Sequence, residues 1–370
     1  MTIFPKGFNL LSCNKNFKKG NTVLKIDLNK ISKNYLFLSK LCKPGIAGAV
    51  VKADAYGCGM SEVGRTLLKS GCNFFFVAKL EEGLELRKYI PKSKTIAIFD
   101  GYLYSSSSLW KRNSLVPVCN TVEQVFQASK DNIPYMIHID TGMNRLGLSV
   151  KEAKDLMESK RLNHKKLILI LSHFVCSDNK NSKLNKLQLD SFKSFDEYYP
   201  NINRSLSNSH GIFLNNRLKN EVSRPGIALY GYVNNKNRSL HETISLYAPI
   251  LQVRNPNIGE TVGYDAIYKI TKKTKLGILG LGYADGLKRC INNRKKLQVG
   301  SFKIPILGRV SMDTIVVDFS LIPNKILENT NHIPLIDNEY SIKKMAKDCS
   351  TIPYEIMTSF SNRLKRVYIR

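Results

Sequence analysis

The sequence predicts an α/β fold, in which an N-terminal (β/α)8 TIM-like barrel is followed by a C-terminal mainly-β domain. The length of 370 residues points to two domains, since a domain averages roughly 150 residues. Apolar runs alternate with helical patterns as far as residue 240, and long β-like segments take over beyond it. We therefore expect an N-terminal extension over residues 1–21, a barrel over 22–240 and a β domain over 241–370.

The barrel is predicted from eight apolar runs of strand length: Ile46–Lys52, Asn73–Val77, Thr95–Phe99, Leu115–Val118, Pro134–Ile139, Leu167–Ser172, Arg204–Ser207 and Gly226–Leu229. Helical patterns separate most of them: Ser61–Lys69, Glu81–Tyr89, Val122–Ser129, Lys151–Ser159 and Leu184–Tyr198. Strands that alternate with helices indicate parallel pairing, and eight such units can close into a barrel. An open doubly wound sheet is the alternative. The earlier run Val23–Leu28 is expected to be a strand outside the barrel.

The second domain is predicted from long segments that Gly and Asn punctuate: Ile244–Val253, Thr261–Ile270, Lys275–Leu281, Lys296–Ile306 and Thr314–Phe319. Only Ser341–Asp348 has a helical pattern in this part of the chain.

Charge alone does not define the partner. The net charge is +28, from 57 basic and 29 acidic residues, and such a balance can attract nucleic acid. The lysines are scattered, however, and neither zinc-finger spacing nor an aromatic RNA-binding pattern is present. We therefore expect no specific nucleic-acid partner and no metal site, and a basic surface that favours small anions.

The sequence also predicts a cytoplasmic location. The eight cysteines include no CxxC pair, which favours reduced thiols. No apolar run reaches the roughly 20 residues that span a bilayer. The first 20 residues make a poor signal peptide, because Pro5 and Lys6 interrupt a short apolar stretch.

Polar side chains collect at the ends of the predicted barrel strands. In a (β/α)8 barrel the loops that follow the strands meet at one face, where the chemistry takes place. We therefore expect residues that are far apart in sequence to share one site there: Lys52 after the first strand, Arg145 after the fifth, His173 after the sixth, Ser209 after the seventh, and Arg224 and Gly226 around the eighth.

Lys52 lies in the apolar segment AVVKADAYG, residues 49–57. A buried ammonium is costly to desolvate, so burial would lower the pKa of the amine and free it for Schiff-base chemistry. A lysine at a strand end can equally extend its charge into solvent, and the spacing does not decide between the two.

The segment AVVKADAYG resembles the cofactor-lysine signature of alanine racemases, the barrel-type class of pyridoxal-phosphate enzymes. Further segments match in the order that this family has them: HIDTGMNRLG (138–147), LSHF (171–174), SNSHG (207–211), RPGIALYG (224–231), VGY (262–264), LGYADG (281–286) and GRVSMD (308–313). The resemblance covers residues 22–370 and both predicted domains.

The resemblance implies that Lys52 holds pyridoxal 5'-phosphate covalently and acts as one of two bases. Tyr56, Ser209 and the backbone N–H groups of Gly226 and Ile227 would bind the phosphate, since glycine permits close backbone approach and oriented amides bind anions. Ser209 taken alone could equally be a turn residue or a helix cap.

The resemblance also assigns Arg224 to the pyridine nitrogen and His173 to the face of the ring. An arginine stays protonated, so the ring nitrogen would remain unprotonated, which favours racemisation over transamination. A surface salt bridge for Arg224 and a hydrogen-bonded core position for His173 are the alternatives.

Tyr264 would be the second base, supplied by the partner chain of a homodimer that shares its active sites. Racemisation removes the Cα proton from one face and returns it to the other, which two opposed bases do without turning the substrate. A phenol has an ordinary pKa near 10 and needs nearby cations to act as a base; Arg289 resembles a family arginine close to this network. The alternative is that Tyr264 fills a core.

The substrate carboxylate would be bound by Arg145 and the N–H of Met312, with Asp313 bracing the region and Tyr283 narrowing the entrance. The implied activity is the interconversion of L- and D-alanine, which supplies D-alanine for cell-wall peptidoglycan. Several positions depart from the better-known pattern without removing an essential group: Cys58, His138 (where some members carry a carbamylated lysine that supports the arginine), Asp265, Ser311 and Asn362.

Three other functions remain open from the sequence. A racemase of broader or serine specificity would use the same residues, and related barrels include decarboxylases, against which a second base at Tyr264 argues. A pyridoxal-phosphate carrier on a similar barrel would lack the β domain. A nucleic-acid-binding protein is suggested by the charge alone.

Overall fold

The computed structural model describes residues 20–103, 106–159, 165–198, 200–215, 217–218, 220–233, 239–291, 296–299 and 302–370. It divides into two compact units. The barrel unit is Leu28–His241, and the β unit joins Glu242–Arg370 to residues 20–27. The sequence-based division grouped residues 22–27 with the barrel, whereas the strand Val23–Asp27 pairs with two strands of the β unit.

The barrel unit is built from short parallel strands: Ile46–Ala47, Ala49–Val50, Phe74–Val77, Thr95–Ile98, Leu115–Cys119, Tyr135–Asp140, Leu167–Leu171, Asn203–Ser205 and Val222–Ser223. They pair side by side in chain order from Ala49–Val50 to Asn203–Ser205. Val222–Ser223 then pairs in parallel with Ile46–Ala47, and a parallel bridge joins Asn208 to Arg224. These contacts close the ring, so the barrel prediction is confirmed and the open sheet is excluded.

Two of the predicted strands differ from the strands in the structure. Residues Ile227–Tyr230 form a 3-10 helix, and the closing strand lies earlier, at Val222–Ser223. A short buried apolar run is compatible with either conformation, and periodicity cannot separate them. The first predicted strand ends at Val50, so Lys52 lies outside it, at the start of a left-handed turn.

The first helix of the barrel unit, Leu28–Cys42, comes before its strands. The other helices follow barrel strands: Met60–Lys69, Leu80–Arg87, Ser107–Asn113, Val122–Lys130, Val150–Glu158 and Lys183–Lys193. A capping box explains one of these starts. Ser149 Oγ accepts a hydrogen bond from the Glu152 N–H at 3.2 Å, and the Glu152 carboxylate accepts from the Ser149 N–H at 2.9 Å. Both donors would otherwise lack a helical partner.

The β unit contains mainly antiparallel strands: Val23–Asp27, Ile244–Arg254, Thr261–Val262, Tyr268–Lys269, Leu276–Leu279, Lys296–Val299, Phe302–Leu307, Ile315–Asp318, His332–Ile336 and Lys365–Ile369. Three short helices accompany them in the described residues: Asn324–Glu328, Ile342–Asp348 and Pro353–Thr358. The long strand predicted over Thr261–Ile270 is wrong, because two short strands flank the turn Tyr264–Ala266. The mainly-β character is confirmed. Among the described residues, no helix combines the length and apolarity needed to cross a bilayer.

Candidate active site

Five of the predicted site residues follow the carboxyl ends of barrel strands. Lys52 follows Ala49–Val50, and Arg224 follows Val222–Ser223 directly. Arg145, His173 and Ser209 lie just beyond the strands that end at Asp140, Leu171 and Ser205. Because the strands are parallel, all five positions come to the same rim.

The backbone that carries Lys52 turns in the left-handed sense. Ala53, Asp54, Ala55 and Tyr56 have φ angles of 52°, 50°, 54° and 57°, a conformation that costs about 1–2 kcal/mol per non-glycine residue. Ala53 N–H donates to Glu82 Oε1 at 2.6 Å, and Met60 N–H donates to Asp54 Oδ1 at 2.7 Å. These bonds hold the turn, which fixes Lys52 and Tyr56 relative to each other.

The Lys52 amine lies in a partly buried position with its Nζ 5.9 Å from the centre of the Phe99 ring. Burial lowers the pKa of this amine, and the positive charge of Arg145 lowers it further, while Glu82 and Asp100 oppose the shift. A lowered pKa enlarges the neutral fraction of the amine, which is the nucleophilic form.

Ser209 and the chain at Gly226 form a small cradle. The buried Ser209 Oγ accepts hydrogen bonds from the N–H groups of Gly226, at 2.8 Å, and Ala228, at 3.1 Å. A Cβ on residue 226 would lie 2.2 Å from the Tyr56 hydroxyl oxygen, so only glycine fits. The Tyr56 and Ser209 hydroxyls and the first amides of the turn Ile227–Tyr230 thus lie together, and these donors suit a phosphate.

Arg224 is only 2% exposed, which excludes the surface salt bridge considered from the sequence. Its guanidinium donates to Ser205 Oγ and to the Ser172 carbonyl, and it lies 3.3 Å from His173 Nδ1. Burial lowers the pKa of Arg224 to about 10, with Glu221 opposing the shift. The side chain therefore remains charged at neutral pH.

His173 is held between two donors. A neutral imidazole accepts at only one nitrogen, so His173 accepts a hydrogen bond either from the Arg224 guanidinium at Nδ1 or from the Asn208 amide at Nε2. Nε2 lies 3.3 Å from Asn208 Nδ2. Burial, followed by the charge of Arg224, holds the pKa of His173 well below its usual range. The ring is thus a neutral, oriented group at the rim.

Arg145 is exposed, and a compact turn sets its position. Asp140 Oδ1 accepts from the N–H groups of Gly142, at 2.8 Å, and Met143, at 2.7 Å, and Asn144 has a φ of 53°. The charge of Arg145 contributes to the lowered pKa of both Lys52 and His173. Its guanidinium therefore acts on the same rim.

His138 occupies the buried position beside this turn. Its Nδ1 lies 2.8 Å from Asn120 Oδ1, and Asn120 Nδ2 donates to the Phe99 carbonyl at 2.8 Å, which fixes the amide orientation. Burial, helped by the charges of Arg224 and Arg145, lowers the pKa of His138 to about 4. His138 is therefore neutral, with Nδ1 donating to Asn120 and Nε2 left as an acceptor.

The residues predicted from the β unit lie at its surface. Tyr264 is 67% exposed, so it does not fill a core, and Tyr283 and Met312 are also exposed. Asp265, which follows Tyr264 with a φ of 58°, forms an ion pair with Arg309.

A single arginine organises the neighbouring segment of the β unit. Arg363 pairs with Asp313 at 2.7 Å and with Asp285 at 3.2 Å, and Asp285 accepts from the Gly282 N–H at 2.9 Å. The structure gives no contact between Arg289 and Tyr264 in the residues that it describes, so the supporting role of Arg289 stays a prediction.

Several supporting residues were missed by sequence reasoning. Glu82 and Asp54 hold the Lys52 turn, Asn120 orients His138, and the buried carboxylate of Glu221 accepts from the N–H groups of Leu206 and Ser207 at 2.8 and 3.0 Å. In the sequence, these positions look like ordinary polar residues of helix starts and loops. Glu221 differs from an ordinary loop carboxylate only because it is buried, and its burial depends on the closure of the barrel.

Both parts of the chain match family profiles. Residues 26–234 match the profile described as the N-terminal domain of alanine racemase, and residues 243–368 match the C-terminal domain. The chain belongs to the alanine racemase family. An alanine racemase of Rickettsia canadensis is 35% identical over 94% of this chain and 99% of its own length, and one of Brucella abortus is 34% identical over 94% and 93%.

Solved alanine racemase structures share the fold. The enzyme of Bartonella henselae, determined with covalently bound pyridoxal phosphate, superposes with a TM-score of 0.87 at 32% identity over 95% of this chain and all of its own. The biosynthetic enzyme of Pseudomonas aeruginosa gives a TM-score of 0.84 at 30% identity over 95% and 99%.

Proposed function

We propose that this protein interconverts L- and D-alanine with pyridoxal 5'-phosphate and thereby supplies D-alanine for peptidoglycan. The main support is the placement of Lys52 at one barrel rim with the Ser209–Gly226 cradle and the buried Arg224, in a chain of the alanine racemase family. The β unit argues against a pyridoxal-phosphate carrier, which would lack it.

The barrel residues fit the cofactor. Tyr56, Ser209 and the amides of Gly226 and Ile227 would hold the phosphate, and the amine of Lys52, with its lowered pKa, would hold the aldehyde carbon. When bound, pyridoxal phosphate supplies an electron sink for the negative charge that is left on the substrate Cα.

Arg224 would face the pyridine nitrogen as a permanent donor. Its pKa of about 10 keeps it protonated at neutral pH. Since it holds its proton, it leaves the nitrogen unprotonated, which weakens the electron sink and disfavours transamination. His173, neutral and oriented by Arg224 and Asn208, would lie against the ring without adding a charge.

Lys52 Nζ would take or return the Cα proton on one face, and Tyr264 Oη would do the same on the other. Because a racemase must serve both faces, two bases are required on opposite sides. The 67% exposure of Tyr264 in a single chain leaves its hydroxyl available to a second chain. We propose a homodimer in which the partner subunit contributes Tyr264, with Arg289 near it.

Arg145 and the Met312 N–H would bind the substrate carboxylate. Asp313, paired with Arg363, would brace Met312, and Tyr283 would narrow the entrance. A narrow entrance favours alanine, and broader or serine specificity is the alternative. The seven cysteines in the described part of the chain are free thiols, which supports a cytoplasmic location.

The deciding experiment is incubation of the purified protein with L-alanine in D2O. We expect deuterium at Cα and D-alanine to appear together. Chiral chromatography of alanine and serine run in parallel would separate an alanine racemase from one of broader specificity. Retention of the Cα proton with the cofactor bound would refute the proposed reaction.

Variants assign the bases. Lys52→Ala should lose the visible absorbance of the bound cofactor and all turnover, whereas Lys69→Ala, at an exposed helical lysine, should keep both. Tyr264→Phe should keep the absorbance but lose about 100-fold or more of the rate, the usual contribution of one general acid–base group. An unchanged spectrum in Lys52→Ala would contradict the assignment.

A further inference from the structure

A second concave site lies at the opposite end of the barrel from the catalytic rim. It has a volume of about 390 Å³ and is lined where strands begin, by Thr95, Leu115, Pro134 and Ile168 among others. Because parallel strands begin at the face opposite to their carboxyl ends, this pocket is separate from the Lys52 rim. The proposed racemase activity therefore does not account for it.

The rim of this pocket is positively charged. Lys92, Lys94 and Lys111 line it, and no ion pair joins any of the three to a carboxylate among the described residues. Lys94 Nζ donates to Asn73 Oδ1 at 2.7 Å, a neutral partner. Lys111 acts electrostatically on Asp131, whose carboxylate already accepts from the Tyr102 hydroxyl at 2.7 Å.

A fourth cation, Arg87, connects the strand starts that border the pocket. Arg87 is 8% exposed, and its guanidinium donates to the carbonyls of Pro91 at 2.7 Å, Lys94 at 3.1 Å and Ser114 at 2.9 Å. Its Nε is buried without a hydrogen-bond partner. Lys94 and Ser114 directly precede two neighbouring strands, Thr95–Ile98 and Leu115–Cys119, so these bonds form a clasp that joins the starts of the two strands. The clasp also leaves a buried positive charge that no carboxylate neutralises among the described residues.

The floor of the pocket is apolar. Pro134 and Ile168 offer accessible surface there, above Trp110, which is 1% exposed and lies beneath them. The Trp110 ring is held at an edge by Tyr102, with the ring centres 5.2 Å apart. An apolar floor beneath a cationic rim suits a ligand with an apolar body and one charged end.

We propose that this pocket binds an anion with a flat apolar body, with that body on the floor at Pro134 and Ile168 and its phosphate or carboxylate among Lys92, Lys94 and Lys111. The volume lies within the range of small-molecule sites. The rim also supplies ammonium groups, which bind phosphates and carboxylates as point charges.

Trp110 makes the proposal directly testable, because it is the single tryptophan of the chain. The holoenzyme would be titrated with 8-anilino-1-naphthalenesulfonate, with energy transfer from Trp110 as the readout. Phenyl phosphate, benzoate and inorganic phosphate would then be added as competitors at constant ionic strength. We expect saturable transfer that phenyl phosphate and benzoate reverse, with at least tenfold weaker competition from inorganic phosphate.

Charge variants locate the binding. Lys92→Glu combined with Lys111→Glu should weaken the probe at least tenfold, while racemase activity stays within twofold of the wild type. The matched control, Lys33→Glu with Lys151→Glu, changes the net charge equally at exposed positions of the same unit and should leave probe affinity within twofold. Equal losses in the two variants, or no loss in the first, would overturn the proposal. Competition by inorganic phosphate as strong as that by phenyl phosphate would also overturn it, because the floor would then play no part.

Discussion

Protonation of His138 should cost the barrel unit a measurable part of its stability in mild acid. The pKa of His138 is about 4 in the folded protein against an ordinary value of 6.5, so the fold favours the neutral ring. The unfolded chain takes up the proton first as pH falls, and the stabilisation present above pH 6.5 is lost progressively down to pH 4. At about 1.4 kcal/mol per pKa unit, the full loss is about 3 kcal/mol, of which about 2 kcal/mol falls between pH 7 and pH 5.

The assay is urea unfolding of the holoenzyme at pH 7 and pH 5, followed by the fluorescence of Trp110, which reports the unit that contains His138. His173 contributes with the same sign because its pKa is also lowered. The comparison is therefore with His138→Gln, which can still donate to Asn120 but does not titrate. We expect the pH-dependent loss to be smaller by about 2 kcal/mol in this variant. His241→Gln, at an exposed histidine, is the control. Identical pH dependence in wild type and His138→Gln would refute the assignment of a buried neutral ring.

Three further substitutions test the two units. Gly226→Ala places a Cβ 2.2 Å from the Tyr56 hydroxyl and should weaken cofactor binding at least about tenfold, or about 1.4 kcal/mol. Adding Tyr56→Phe to the same chain should restore part of the affinity. Full cofactor affinity in Gly226→Ala alone would contradict the phosphate-binding role of the cradle. Asp265→Ala loses the exposed ion pair with Arg309, worth under about 1 kcal/mol, and strains a residue with a φ of 58°. Its kcat should fall more than that of Asp265→Gly, because glycine relieves the strain. Equal kcat values would show that the backbone conformation at residue 265 does not affect catalysis. Arg363→Met breaks the contacts to Asp285 and Asp313 and should raise KM for alanine several-fold while kcat stays within twofold. An unchanged KM would show that the position of Met312 does not depend on these two contacts.

Sequence reasoning succeeded where a pattern has one physical outcome. Buried parallel strands between helices have few other arrangements, so the barrel was predictable, and the ordered motifs identified the family. The site residues at strand ends follow from barrel geometry, since parallel strands bring Lys52, His173 and Arg224 to one rim.

The parts that could not be predicted depend on tertiary contacts. The predicted strand Gly226–Leu229 is replaced by the 3-10 turn Ile227–Tyr230, at the start of which Ser209 Oγ accepts from the N–H groups of Gly226 and Ala228. The turn after Lys52 has four consecutive residues with positive φ, Ala53 to Tyr56, a run that non-glycine residues seldom adopt. Glu82, from a separate helix, holds it by accepting from the Ala53 N–H. The turn at Tyr264 interrupts what the sequence pattern suggests is one continuous strand. Asp265, in this turn, pairs with Arg309, which is 44 residues away in the sequence, so the local pattern could not reveal the contact.

The pairing of Val23–Asp27 with both Ile244–Arg254 and Lys365–Ile369 has a consequence for biosynthesis. Leu28–His241 is one uninterrupted stretch and can fold while translation is still under way. The other unit pairs Val23–Asp27 with strands on the far side of that stretch, so its central sheet stays incomplete until Lys365–Ile369 has been translated. A ribosome that stalls before Lys365 would therefore release a finished barrel attached to an unfinished sheet.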